Sequence, residues 1–311
     1  MTDLVFGRES LLEIIAYAEQ RLAEGADSFG FRVLDPDLGR GRHAGELVEH
    51  EGRSFLHRPL RVWVDFAERL GLRLRTPRRI GDGLIELGFE RLVLQRQAVE
   101  PSVRERYGAS SAYARISKLE DPGFVIDLAD AVGRTRLAPG ARVLDLGVNT
   151  GDEILVMQRA QPAIEVVGID HSESALAIAR ARFPTSSFLV ADLGALAALG
   201  LGTFDLVISL NTMQSPGIDD RALLRQIVQR YLAPGGAVIL GLPNSRYVDG
   251  ELVYGARMKN FRQPELGLLI KDVAFYRKYL QQHGRQVFVT GKHYMLVTGV
   301  ASQGTSEAAA E

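Results

Sequence analysis

Three aspartates that end three apolar runs are the residues whose spacing most clearly indicates chemistry. Asp145 follows Val143 and Leu144, Asp170 closes the run Glu-Val-Val-Gly-Ile-Asp, and Asp192 closes the run Ser-Phe-Leu-Val-Ala-Asp. Short apolar runs of this kind are typical of buried strands, and the carboxyl ends of neighbouring parallel strands meet at one edge of a sheet. We therefore expect three carboxylates on a shared rim, where they can accept hydrogen bonds or face a cation.

A glycine-rich turn follows the first of these strands, in the run Val-Leu-Asp-Leu-Gly-Val-Asn-Thr-Gly-Asp from Val143 to Asp152. Gly147, Asn149 and Gly151 are residue types that tolerate positive φ, so backbone amides of the turn can approach a ligand. The dinucleotide fingerprint Gly-x-Gly-x-x-Gly fits poorly, because Asn149 replaces the middle glycine and Asp152 would face a pyrophosphate. The pattern favours a nucleoside ligand that carries positive charge and no phosphate.

This arrangement resembles the class I S-adenosylmethionine-dependent methyltransferases, over about residues 120–300 and with the strand motifs in the family's order. The resemblance implies S-adenosylmethionine as cofactor. It implies that Asp170 binds the ribose hydroxyls, that His171 packs on the adenine, and that Asp192 meets the adenine amino group. The cofactor-binding residues that we expect in addition are Asp145, Gly147, Asn149, Gly151, Leu193, Leu210 and Tyr113.

Further apolar runs continue the alternation of strands and helices. Thr203–Leu210 and Gly235–Leu240 predict the fourth and fifth strands, and the run Leu-Ala-Pro-Gly-Gly is expected to end the helix between them. That helix carries one apolar face, formed by Leu224, Ile227, Val228 and Tyr231. Near-continuous apolar strands alternating with helices favour a parallel sheet covered on both faces. The resemblance implies a doubly wound α/β fold, with a Rossmann-like, mostly parallel sheet of seven strands, the last antiparallel.

Three segments should reach the sheet edge beyond the strands and hold the methyl acceptor: residues 211–217, 243–264 and 290–294. We select one candidate catalytic residue from each, namely Asn211 to orient the acceptor, Tyr254, and His293 as a general base. A structural turn histidine is the alternative for His293. The second segment carries four basic residues against two acids, which favours an anionic acceptor or a solvated loop; they are Arg246, Arg257, Lys259, Arg262, Asp249 and Glu251.

Composition excludes several other chemistries. The chain of 311 residues has no cysteine, which excludes disulfides, thiolate metal sites and pyrimidine methylation through a cysteine adduct. Its six histidines lack close ligand spacing, so we expect no protein-held metal. We expect a cytoplasmic protein without membrane partners, since no apolar run has membrane-spanning length and the first residues lack a signal-peptide pattern.

We expect four regions along the chain. Residues 1–100 should form an α+β accessory domain for substrate recognition, in which residues 8–24 and 57–71 are helical and residues 28–34, 72–77 and 84–92 are strands. Residues 101–121 should be a linker that covers the cofactor with Tyr107, Tyr113 or Arg115. Residues 122–300 should form the cofactor-binding domain, and residues 301–311 a disordered tail.

The sequence predicts a methyltransferase acting on an oxygen or nitrogen of a small or medium-sized, anionic metabolite. The first alternative is an RNA methyltransferase, because Arg40 to Lys118 holds 16 basic against 10 acidic residues in a chain of net charge −1. The second is a non-catalytic, cofactor-binding regulatory protein. The run Ser-Leu-Asn-Thr-Met-Gln-Ser-Pro differs from the Asp/Asn-Pro-Pro-Tyr/Phe motif of amino-group methylation, which makes that reaction less expected. The oligomeric state stays open.

Overall fold

The structure is a computed structural model, and it describes residues 4–93, 108, 111, 115–215, 217–255 and 266–302, except the side chains of residues 266–268. Its contacts divide the chain into two compact units. The first comprises Met1–Arg96 and Tyr247–Val253, and the second comprises Gln97–Arg246 and Tyr254–Glu311. The short segment within the later half of the chain that joins the first unit was not expected from the sequence.

The first unit is an α+β fold. Its helices are α1 (Leu11–Ala23) and α2 (Leu60–Leu70), and its strands are β1 (Ser28–Leu34), β2 (Leu47–His50), β3 (Arg53–Leu56), β4 (Leu72–Leu74), β5 (Arg78–Gly81) and β6 (Leu84–Arg91). β6 pairs antiparallel with β1, β4 and β5, while β2 and β3 form a separate hairpin. The sequence did not predict β2, β3 and β5, since these four-residue strands lack a clear apolar alternation.

Local sequence signals account for the helices of this unit. Ser10 and Glu13 form a capping box at the start of α1, and Gly71 ends α2 with a φ of 68°. Trp63 on α2 is fully buried, and its ring centroid lies 5.6 Å from that of Phe31 on β1. Burial of large aromatic rings contributes most of the stability of such a small core.

The second unit alternates strands with helices. Its helices are α3 (Pro122–Thr135), α4 (Asp152–Ala160), α5 (Glu173–Arg182), α6 (Asp220–Gln226) and α7 (Leu266–Gln282), and its strands are β7 (Arg142–Leu146), β8 (Glu165–Asp170), β9 (Ser187–Val190), β10 (Phe204–Leu210), β11 (Leu232–Pro243), β14 (Arg285–Thr290) and β15 (Tyr294–Ala301). A separate hairpin follows β11 in the chain and is formed by β12 (Ser245–Val248) and β13 (Glu251–Tyr254), of which residues Tyr247–Val253 belong to the first unit. Short 3₁₀ helices cover Lys118–Glu120 and Leu193–Leu199. No helix in the described ranges is long and apolar enough to cross a membrane.

Seven strands of this unit form one sheet, in the order β14-β15-β11-β10-β7-β8-β9. β15 is antiparallel to both neighbours, and the other pairings are parallel. The predicted fold class, a doubly wound and mostly parallel sheet with the last strand antiparallel, is confirmed. This order brings the carboxyl ends of β7, β8, β9, β10 and β11 to one edge.

Both faces of the sheet are covered. Val143, Ile208 and Ile239 lie in one core with residues of α3, α4 and α5. Leu144, Val207 and Val238 lie in the other core, with residues of α6 and α7. Each fully buried aliphatic side chain contributes about 1.5–3 kcal/mol, so the two cores hold the sheet edge rigidly.

Three sequence expectations need correction at element boundaries. The run Leu-Ala-Pro-Gly-Gly does not form the turn that ends a helix: α6 continues as a π-helical turn to Tyr231, and β11 starts at Leu232. The third strand ends at Val190, two residues before Asp192. Ala301 pairs with Arg285 inside the sheet, because the last strand is longer than its apolar run, whereas residues 303–311 of the predicted tail lie outside the described residues.

Candidate active site

Asp145 and Asp170 project from the same face of the sheet. Leu146 pairs with Ile169 and Asp145 with Gly168, and paired residues of neighbouring parallel strands point to the same side. Asp170 in turn pairs with Val190 on β9, and Asp192 follows two residues later as the cap of a 3₁₀ helix, with its carboxylate 2.7 Å from the Gly194 amide. The sheet register therefore assembles the acids at one edge, with Asp145 deepest and Asp192 exposed.

The β7–α4 turn (residues 147–151) has the backbone that its sequence predicts. Gly147, Asn149 and Gly151 have φ values of 84°, 48° and 80°. A Cβ atom on Gly147 would lie 2.0 Å from Thr212 Oγ1, so this position excludes any side chain. Thr212 thus packs directly against the turn at Gly147, and the turn follows the deepest acid at the edge of the sheet.

The Asp170 carboxylate holds this turn in place. Its Oδ2 accepts a hydrogen bond from the Asn149 amide at 2.9 Å, and its Oδ1 accepts one from the Ser172 amide at 2.9 Å. Each carboxylate oxygen has further lone-pair capacity, so two hydroxyl groups can still bind. His171 is partly exposed beside it, with Nδ1 3.4 Å from Asp170 Oδ1.

Two acids lie fully buried beneath the turn. The carboxylate oxygens of Asp145 and of Glu153, which is in the first turn of α4, have no hydrogen-bond partner among the described residues. Lys118 Nζ lies 3.6 Å from Glu153 Oε2. Burial and the neighbouring Glu153 raise the pKa of Asp145 well above its ordinary value. Burial also raises the pKa of Glu153, against the opposing effect of Lys118.

Glu153 and Lys118 were not predicted as site residues. Glu153 could have been noticed, because an acid in the first helical turn after a glycine-rich turn is visible in the sequence. Lys118 gives no local signal. It reaches the site because its backbone amide donates to Asp152 Oδ2 at 3.0 Å, which fixes the 3₁₀ helix at the start of α4.

The turn between β14 and β15 lies at the end of β11, as predicted. The Asn244 amide donates to the His293 carbonyl at 2.8 Å, and its side-chain amide donates to the Lys292 carbonyl at 2.9 Å. His293 Nε2 is buried and has no hydrogen-bond partner among the described residues. Burial raises the pKa of the nearby Asp127 carboxylate, while a hydrogen bond from the Lys292 amide opposes this shift.

The other predicted site residues occupy varied surroundings. Asn211 follows β10 with a φ of 59°, and its Oδ1 is buried without a hydrogen-bond partner in the described part of the chain. The Tyr254 ring lies 5.6 Å from Lys292 Nζ. Leu210 packs in the core on the Asp145 face, whereas Leu193 packs against the opposite core.

The predicted lid over the cofactor falls largely outside the described residues. Tyr107 and Tyr113 lie outside the described residues. Arg257, Lys259 and Arg262, which belong to the segment 243–264, lie outside them as well. Arg115 is exposed, and Arg246 donates a hydrogen bond to the Gly255 carbonyl at 2.7 Å. In the described ranges, no cluster of three His, Asp or Glu side chains could hold a metal ion.

Comparison with known proteins identifies the same region. Residues 143–236 match the family model described as a methyltransferase domain. The chain is 27% identical to a trans-aconitate 2-methyltransferase of Delftia acidovorans over 58% of its own length and 64% of the relative's. It is 30% identical to a demethylmenaquinone methyltransferase of Thermotoga maritima over 44% and 59% of the two lengths. The chain thus spans less than two thirds of the length of these curated relatives.

A solved structure also resembles the chain. Magnesium protoporphyrin IX methyltransferase from Synechocystis PCC 6803 aligns with a TM-score of 0.44 and 19% identity, over 67% of this chain and all of that one. The assignment rests on the strand order, on the β7–α4 turn with its acids and on the family model. Residues 143–236 therefore form a methyltransferase domain of the class I, S-adenosylmethionine-dependent type, and S-adenosylmethionine is the cofactor of this type.

Proposed function

We propose that this protein transfers the methyl group of S-adenosylmethionine to a small anionic metabolite, at a carboxylate oxygen. The acceptor class is supported by several relatives named trans-aconitate 2-methyltransferase, whose named acceptor is a carboxylic acid. The donor site is supported by one observation above all. Asp170, which is almost fully buried, is tied to the β7–α4 turn and keeps lone pairs for ligand hydroxyls.

The residues of the donor site fit the cofactor. The absence of a side chain at Gly147 lets Thr212 pack against the β7–α4 turn, which keeps the turn in its left-handed conformation beside Asp170. The carboxylate of Asp145 is buried and has no hydrogen-bond partner within the described ranges, which suits a ligand that carries an ammonium and a sulfonium group. His171 has enough exposed ring surface to pack on an adenine. Asp192 is exposed beside the Gly194 amide, where it can accept a hydrogen bond from an amino group.

Transfer of a methyl group needs alignment more than acid–base chemistry. The bound cofactor supplies a methyl group that is already activated by the positive charge on sulfur. The chain has to hold the acceptor oxygen in line with the methyl carbon and the sulfur, and to exclude water. A carboxylate is already ionised at neutral pH and needs no general base. In this proposal His293 and Asn211 therefore position the acceptor instead of removing a proton.

Lys292 is our candidate for binding the acceptor's negative charge. Its side chain is exposed on the β14–β15 turn, at the end of β11, and Asn244 fixes the backbone of that turn. Tyr254 lies against its ammonium group and limits its orientations. A lysine held in this way can attract an anionic acceptor to the edge where the donor binds.

The test is methyl transfer from labelled S-adenosylmethionine to a panel of di- and tricarboxylic acids that includes trans-aconitate. We expect a labelled product that releases its methyl group in alkali, as an ester does. Lys292→Gln should raise KM for the acid several-fold and change kcat little. The matched control Lys278→Gln, at an exposed position of α7, should change neither. An alkali-stable product would contradict carboxylate methylation, and cofactor binding without transfer to any acceptor would support a regulatory protein instead.

The RNA alternative is weakened by the pairing of the basic side chains. Four arginines of the first unit contact acids, in the pairs Arg73–Glu251, Arg75–Glu90, Arg78–Glu86 and Arg79–Asp35. A paired guanidinium offers less charge to a phosphate backbone, so these four side chains contribute less to RNA binding than the net charge implies. We expect no measurable RNA binding at low salt, and binding that falls steeply with added salt would revive this alternative.

A further inference from the structure

The two buried acids beneath the β7–α4 turn form an unusual pair. Asp145 is fully buried, Glu153 is 1% exposed, and none of their four carboxylate oxygens has a hydrogen-bond partner among the described residues. We refer to Asp145 and Glu153 as the carboxylate pair. Both acids interact with Lys118, whose side chain is 24% exposed and whose ammonium lies 3.6 Å from Glu153.

The charges around the carboxylate pair do not balance. Asp152, next to Glu153, is paired with Arg182 at 2.8 Å, so that arginine is already engaged. Asp170, which faces Asp145, adds a third carboxylate, bound to two backbone amides. Lys118 is therefore the one cation in the described residues that opposes the carboxylate pair. A buried carboxylate without a compensating charge is strongly disfavoured and takes up a proton instead.

We propose that the carboxylate pair holds one shared proton in the free protein, and that the ammonium group of the cofactor displaces this proton to solvent when it binds. Lys118 sets the pH range of this exchange, since it supplies the first of the two positive charges that the pair needs. This inference rests on the proposed function only in that the same cofactor is the ligand. It assigns to Glu153 and Lys118 a role in cofactor affinity that the family resemblance does not give them.

The direction of the pH effect follows from charge. Burial raises the pKa of both acids, so the pair is partly protonated where exposed carboxylates are ionised. The cofactor binds the ionised pair, so its affinity falls as pH decreases through the range in which the pair takes up its proton. One coupled proton gives a limiting loss of about tenfold in affinity per pH unit.

The experiment is calorimetric titration of the full chain with S-adenosylhomocysteine, which keeps the ammonium group and cannot transfer a methyl group. Titrations in phosphate and in Tris, whose ionisation enthalpies differ, give the number of protons released at each pH. We expect the wild-type protein to release a proton at pH values above the range in which exposed carboxylates ionise. Glu153→Gln should reduce that release, because the Asp145 carboxylate then loses the repulsion of Glu153 and keeps the attraction of Lys118.

Two further variants make the test specific. Lys118→Met keeps the backbone contact with Asp152 and should move the midpoint of proton release to higher pH. Glu173→Gln changes the same residue type in the first turn of α5, where Glu173 is exposed and pairs with Arg180, and it should leave proton release as in wild type. The Lys118 variant also serves as the test if Glu153→Gln does not fold.

The outcomes separate the two proposals. Failure of the wild-type protein to bind S-adenosylhomocysteine would overturn the donor site itself. Normal binding with no proton release would overturn the shared proton and leave the methyltransferase proposal intact. The same holds if Glu153→Gln releases as many protons as wild type, because the proton would then come from the ligand or from another group.

Discussion

At the scale of residues, the side chain of Asp170 at the end of β8 holds two neighbouring segments of backbone. Its carboxylate accepts hydrogen bonds from the amides of Asn149 and Ser172, so it holds the β7–α4 turn and the start of α5 at once. The residue was predicted from its place at the end of an apolar run. Its two backbone contacts were not, because they depend on how the turn approaches β8.

The substitution Asp170→Ala should weaken binding of S-adenosylhomocysteine by about 2–4 kcal/mol, since charge-assisted hydrogen bonds to the ribose would be lost. Calorimetric titration measures this difference. Asp130→Ala is the control, because Asp130 is an exposed acid of α3 that pairs with Arg134. Equal affinities for wild type and Asp170→Ala would remove the ribose assignment.

At the scale of elements, the β7–α4 unit depends on a turn that packs closely against the residues after β10. Gly147 adopts a left-handed conformation, and any Cβ there would meet Thr212, which follows β10. The turn is therefore restricted twice, by its φ angle and by a neighbouring strand. The first restriction is visible in the sequence as a glycine, and the second requires the strand order.

The substitution Gly147→Val should abolish detectable cofactor binding and lower the stability of the second unit. Gly140→Val is the matched control, because Gly140 has a φ of 80° and open space around its Cβ position. The control should cost about 1–2 kcal/mol for the left-handed backbone alone and leave cofactor affinity unchanged. Binding by Gly147→Val at wild-type affinity would show that the ligand does not approach this turn.

At the scale of the whole molecule, the carboxylate pair makes the protein less stable in the cofactor-free state. The unfolded chain ionises both acids in the ordinary carboxyl range, whereas the folded protein keeps a proton to higher pH. The folded state binds more protons between the two pKa ranges, so the free energy of unfolding falls as pH rises through this window. The buried acids thus lower the stability of the cofactor-free protein, and the same burial makes the site favour a cationic ligand.

Denaturant unfolding of Asp145→Asn and of wild type at several pH values measures this loss of stability. We expect the variant to gain stability over wild type as pH rises from about 5 to about 8, because the folded wild-type protein must then lose the proton that burial of Asp145 favours. Asp130→Asn should show no such trend. A gain that is the same at both pH values would mean that Asp145 does not keep its proton in the folded protein.

Much of the fold and of the donor site was predictable because its signals are local. The apolar runs that end in Asp145, Asp170 and Asp192, together with the turn at Gly147, are each readable within a few residues, and the confirmed fold class follows from their order. The roles of the individual site residues and the division at residue 100 stay predictions. The acceptor stays a proposal, because in-line methyl transfer requires alignment and no fixed catalytic signature.

The tertiary structure alone decided which distant charges meet. Lys118 reaches Glu153 across the start of α4, and Arg73 binds Asp249 and Glu251, which lie in the later half of the chain. Neither contact has a sequence pattern, because a long side chain can pair with any opposite charge that folding brings near it. The sequence by itself determined where strands end in acids. Packing determined that Asp145 and Glu153 are buried beside Lys118, the one cation that opposes them in the described part of the chain, and so gave the site its electrostatic character.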